Sequence, residues 1–123
     1  LIVDFSSLKL NDLTPIYTQI IRFVKMGIVS KQVSTGDVLP SRRLLSSMLN
    51  VNPNTIQKAY REMEEEGLII SYPGSKSLLT FDDKKAKSIK EELINLETTH
   101  YIEAVKGMGI ELLEAIKLLE GLW

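Results

Sequence analysis

Val51 to Gly67 reads VNPNTIQKAYREMEEEG, a helix that opens on amides and hydroxyls, continues with two cations and closes on three consecutive glutamates. Asn52 supplies a side-chain oxygen for the unpaired N–H groups of the first turn, and Pro53 fits that turn because its missing N–H costs nothing there. Gly67 suits the left-handed residue that ends a helix. Between these ends, Ile56, Ala59, Tyr60 and Met63 recur at helical spacing and predict a core face. Asn54, Gln57, Lys58 and Arg61 fall at i, i+3, i+4 and i+7 and predict a second, polar stripe. Neutral donors and acceptors at a helix head suit base edges, and cations behind them suit phosphates. Three acids at the C-terminal end oppose the helix dipole, so the sequence reads them as a solvated face outside any groove.

Upstream, Thr14-Pro15 marks a helix start, and Ile16, Ile20, Phe23, Val24 and Ile28 form one apolar stripe ending near Val29 to Gln32. STGDVLPS breaks the pattern, with Gly36-Asp37 for a turn, Pro40 as a stop and Ser41 as the cap of a short second helix. Leu44, Leu45, Met48 and Leu49 are its expected apolar stripe. Downstream, LIISYPGSKSLLTF gives two short β-rich runs around Pro73-Gly74, a hairpin. From Asp82 the pattern is helical again, through Ala86, Ile89, Leu93, Leu96 and His100, to a break at Gly107/Gly109 and a last helix from Ile110 to Leu122. Three helices followed by a hairpin is the order of a winged helix-turn-helix, with the third helix as its recognition helix. The predicted fold is mostly α with a small β hairpin: residues 1–81 as a winged helix-turn-helix domain with an N-terminal arm, and residues 82–123 as a short two-helix dimerisation tail.

Composition narrows the function. The chain has 123 residues, 44% hydrophobic and 25% charged, with no cysteine and one histidine, which suits one small domain with an appendage. Without cysteine there is no disulfide, thiolate nucleophile or cysteine zinc site, and His100 alone forms no metal-binding pair. No paired nucleophile and base, phosphate loop or metal cluster is present, so an enzyme is not expected, and neither is a cofactor. The opening LIVDF is too short for a secretory segment, and no apolar run is long enough to span a membrane. A cytoplasmic location is expected. The formal net charge is −1, but its distribution is uneven. Residues 31–61 carry five cations against one acid, a local +4, while residues 82–123 carry six lysines against nine acids, a local −3. A basic middle joined to an acidic tail predicts a local anion-binding face.

The run GDVLPSRRLLSSMLNVNPNTIQKAYREMEEEGLI resembles the DNA-binding signature of the GntR transcription regulators. TPIYTQI upstream also matches, and the tail with its GMGI turn resembles the YtrA-type subfamily. The signature covers about residues 14–80. The resemblance implies a homodimeric bacterial repressor of an inverted-repeat operator in double-stranded DNA, often upstream of transporter genes. It implies that Arg43 contacts the DNA backbone, that Asn52, Asn54 and Thr55 form the head of the recognition helix, and that Gln57 and Lys58 face DNA. Gly74 matches the first wing glycine, and Lys76 stands where a second is usual. With one lysine where relatives carry several cations, the wing is expected to add little minor-groove affinity. Leu44 replaces a usual acidic residue.

The expected DNA-binding set is therefore Ser41, Arg43, Asn52, Asn54, Thr55, Gln57, Lys58, Arg61, Gly74 and Lys76. Ser41 and Arg43 lie at a helix start, where backbone phosphates are commonly held. Ile89, Leu93, Leu96, Ile110, Leu113 and Ile116 are the expected dimer contacts, because a 42-residue tail is near the lower limit of about 40 residues for independent folding. A metabolite pocket inside one such tail is not expected, and an effector, if one exists, would bind at the dimer interface. The glutamate run reads as solvated, Tyr60 as core, His100 as part of a helix contact or its edge, and Trp123 as a packing residue. The alternative reading is a winged helix used as a protein–protein interaction module without DNA specificity. It predicts an apolar exposed stripe rather than amides and cations.

Overall fold

The computed structural model describes residues 1–73 and 76–123. Pro15, in an extended conformation at φ −56° and ψ 137°, precedes helix α1 (Ile16–Val29). The hydroxyl of Thr18 returns to the Pro15 carbonyl at 2.6 Å, while Thr14 contributes its carbonyl to the Gln19 amide rather than a capping side chain. The helix therefore starts one residue later than Thr14-Pro15 predicts. After a turn at Gly36 (φ +90°), β1 (Val38–Leu39) leads through Pro40 into α2 (Arg42–Leu49) and α3 (Pro53–Glu65). Strands β2 (Ile69–Ser71) and β3 (Ser77–Leu79) follow, then α4 (Asp83–Gly107) and α5 (Leu112–Leu122).

The sequence predicts a two-stranded hairpin, whereas the sheet has three antiparallel strands in the order β1-β3-β2. Val38 pairs with Leu78 and Leu39 with Ser77, while Ile69 pairs with Leu79 and Ser71 with Ser77. A two-residue strand between Asp37 and Pro40 is too short to show the alternation by which strands are recognised. The N-terminal arm extends this edge: Ile2 bridges Val38 in parallel, and Val3 donates to the Val38 carbonyl at 2.8 Å. Val3 and Phe5 are buried, with the Phe5 and Phe23 rings 5.2 Å apart.

The core lies where α1 and α2 pack on α3. Ile20, Val24, Ile28, Leu45, Ile56, Ala59, Tyr60 and Met63 meet there, joined by Leu39, Leu68, Ile69 and Leu79, all at most 3% exposed. The predicted stripe of α2 is only half right. Leu45 is buried, but Leu44 and Met48 are about half exposed. Each apolar pair in LLSSML is adjacent in sequence, 100° apart on the helix, so a narrow contact takes one member and leaves the other in water. Gly67 (φ +77°) ends α3 as expected: Leu68 donates back to Met63 O and Gly67 to Glu64 O, the paired bonds of a glycine-terminated helix.

Two compact units result, Leu1–Ile89 and Lys90–Trp123. The start of α4, with Ile89 only 2% exposed, counts with the first. In the second, Gly109 (φ +76°) turns the chain after α4, and Ile110 donates to Val105 O at 3.0 Å. Ala115 is the apolar residue of α5 that is buried, while most of its leucines are exposed.

Candidate nucleic-acid interface

The caps expected at Ser41 and Asn52 are both made. Ser41 accepts from the Leu44 amide at 3.1 Å, and Asn52 Oδ1 from the Asn54 amide at 2.8 Å. Asn50 adopts the left-handed conformation (φ 54°), and Val51 donates to Ser46 O, closing the turn between α2 and α3. With Ile56, Ala59, Tyr60 and Met63 at 0% exposure, α3 has only one orientation available, and its other face is open. Asn54, Gln57, Lys58 and Arg61 are all exposed, and Thr55 is half-buried. Arg43 is exposed beside Ser41 at the start of α2. The structure thus brings eight expected residues, from Ser41 and Arg43 to Arg61, onto the heads and outer face of two consecutive helices.

Two cations are less available than their position suggests. The Lys58 ammonium lies 4.1 Å from the centre of the Tyr17 ring, a cation–π contact across α1 and α3. Tyr17 belongs to the TPIYTQI match but carries no polar-stripe signal, so sequence spacing alone misses it. Arg42 turns away from its neighbour Arg43: its Nη2 lies 3.0 Å from Glu64 and its guanidinium carbon 5.0 Å from the Tyr60 ring centre.

The glutamates are not the uniformly solvated face that the sequence predicts. Glu64 accepts from the Ser71 hydroxyl of β2 as well as from Arg42. Glu66 pairs at 3.0 Å with Lys25, whose side chain is mostly buried on α1. Glu65 between them is exposed. Each tie supplies a positive or donating partner where the helix dipole would repel a bare carboxylate. Periodicity cannot reveal this, because the partners lie on other elements.

The hairpin tip is closed by Tyr72 N donating to Lys76 O at 2.8 Å. Lys76 is exposed, as is Tyr72, an aromatic that the sequence reading did not single out; Gly74 lies outside the described residues. Tyr60 is core, as expected, with its hydroxyl donating to Pro40 O at 2.6 Å. Burial pushes that hydroxyl well above its ordinary pKa of 10.0, against a smaller opposing effect of Arg42.

Among the expected dimer contacts, Leu96, Leu113 and Ile116 are exposed, and Leu93 and Ile110 are half-buried. Ile89 is buried and has little surface left to offer. Leu112, Leu122 and Trp123 add exposed apolar surface, and His100 is exposed. A shallow groove of about 590 Å³ runs past Glu66, Thr80, Phe81, Lys84 and Lys85. It is open and polar, unlike the enclosed apolar cavities that hold metabolites. Among the described residues no group of His, Asp and Glu is arranged to hold a metal, and no helix is long and apolar enough to cross a membrane.

Residues 16–78, just over half of the chain, match the family model for bacterial regulatory proteins of the gntR family. The HTH-type transcriptional regulator YhcF of Bacillus subtilis is 33% identical over 84% of this chain and 88% of its own length. The HTH-type transcriptional repressor YtrA of the same organism is 39% identical over 68% of each. A GntR family transcriptional regulator from Listeria monocytogenes superposes with a TM-score of 0.81 at 32% identity, covering 91% of this chain and 98% of that one.

Proposed function

The chain belongs to the gntR family of bacterial regulatory proteins and is a DNA-binding transcriptional regulator, and from that premise we propose that it acts in the cytoplasm as a dimeric repressor of an inverted-repeat operator. The observation that carries this reading is the open polar face of α3, with Asn54, Gln57 and Arg61 in water while the opposite face is completely buried. An α-helix of this kind fits the major groove, where amides pair with base edges and cations with phosphates. Arg43 at the head of α2 reaches a backbone phosphate, and the hairpin tip with Lys76 lies toward the flank. A protein–protein module would present an apolar stripe on α3 instead.

Dimerisation is proposed for the helices after residue 82. The unit Lys90–Trp123 is below the roughly 40 residues at which a chain folds without help, and it leaves Leu96, Leu113, Ile116 and Leu122 exposed. A second copy covering them pairs two α3 helices through a twofold axis, which an inverted repeat mirrors. Repression follows the relative YtrA, named as a transcriptional repressor; a transporter operon is the proposed target.

The test is a titration of duplexes selected from a random pool by the full chain, repeated at several salt concentrations. If the dimer neutralises about six phosphates, log K falls with log salt with a slope of roughly −5. A slope near zero, or no duplex enriched over the starting pool, contradicts the reading.

A further inference from the structure

Arg42, Glu64, Ser71 and Ser77 come from α2, α3, β2 and β3, and they form one continuous chain of polar contacts. Glu64 Oε1 takes Arg42 Nη2 at 3.0 Å and also the hydroxyl of Ser71, whose oxygen lies 2.9 Å from that of Ser77. Ser71 and Ser77 are themselves paired across the β2–β3 ladder. The Arg42 Nε is buried and without a hydrogen-bond partner, so the guanidinium is held by Glu64 and by the face of Tyr60, and Tyr60 is anchored in turn to Pro40 O. An orphaned buried donor is a cost that a folded protein rarely carries, and here it accompanies an arginine drawn inward beside one that faces out.

The geometry points to Arg42 and Glu64 as positioning residues: they fix the β2–β3 hairpin at one angle to α3, so that Tyr72 and Lys76 meet the flank of the half-site whose centre α3 reads. The inference rests on the proposed DNA-binding mode, but neither residue touches DNA in it. The hairpin has only three paired positions in its ladder, and such a short ribbon holds no fixed orientation by itself. Apolar packing of Leu68, Ile69 and Leu79 anchors its base without direction. Hydrogen bonds to a shared carboxylate oxygen do have direction.

The wild-type chain first selects duplexes from a random pool; failure at this step counts against DNA binding and not against the positioning role. Affinity is then measured on the selected duplex and on one with its flanks scrambled, for wild type, Ser71→Ala, Glu64→Ala and the double variant, with thermal unfolding followed in parallel. Wild type is expected to prefer the selected flanks about five-fold or more, and each single variant to lose that preference while keeping its choice of central bases. The double variant loses no more than either single one, because both break the same link. Ser71→Ala keeps the ion pair, so it tests the link even if Glu64→Ala fails to fold. A wild type indifferent to the flanks, single variants that keep their flank preference, or additive losses in the double variant overturn the inference.

Discussion

Neighbouring side chains of one chemical type have different fates in this protein. Arg42 and Arg43 are consecutive, yet the first is tied to Glu64 and Tyr60 while the second is exposed. Arg43→Ala is expected to weaken binding to every duplex alike and to lower the salt slope by about one per subunit. Asn54→Ala or Thr55→Ala is expected instead to change which bases are preferred, with a cost of about 1–3 kcal/mol at the affected position. Competition titrations against single-base variants of the selected duplex separate these two outcomes. Tyr60 supplies a test on stability. Its folded-state pKa is raised by burial, so its contribution is complete below the unfolded value of about 10 and is lost as pH climbs toward the folded one. Thermal unfolding at rising alkaline pH should show wild type losing stability faster than Tyr60→Phe. At neutral pH the variant should lose about 1 kcal/mol with the hydrogen bond to Pro40.

At the level of elements, the helices were legible because their signals are local. Asn52-Pro53 at the head of α3 and Gly67 at its end act within one turn, and the apolar period of Ile56, Ala59, Tyr60 and Met63 fixes which side is buried. Gly67→Ala places a side chain at φ +77° with no neighbour within 4 Å of the new methyl group. The expected loss, seen in denaturant unfolding, is therefore backbone strain alone, about 1–2 kcal/mol. What depended on distant partners was not legible. The glutamates looked solvated because Lys25, Arg42 and Ser71 lie on other elements. Strand β1 is not legible because two residues carry no period, and Leu44 and Met48 are more exposed than the spacing predicts because a short contact takes only one of two adjacent apolar residues. The same holds for the candidate interface. Its polar stripe could be seen from spacing, whereas the contact of Lys58 with Tyr17 and the exposed Tyr72 needed the fold.

For the whole molecule, the second unit matters for what it leaves uncovered. A helix bearing Leu112, Leu113, Ile116, Leu118, Leu119 and Leu122 in water exposes more apolar surface than a soluble monomer usually tolerates. If the proposed dimer forms through this helix, Leu113→Glu with Ile116→Lys shifts the chain to monomer in sedimentation velocity. It should also cut affinity for the full inverted repeat at least about ten-fold, with little change on an isolated half-site, since a dimer gains its second contact at high effective concentration. The most direct measurement is a selection from random duplexes carried out in parallel with the wild-type chain and with Asn54→Ala. An inverted repeat is expected for wild type and, for the variant, altered preference at corresponding positions in both half-sites. Recovery of the same sequence by both proteins, or of no common sequence by wild type, would contradict this expectation.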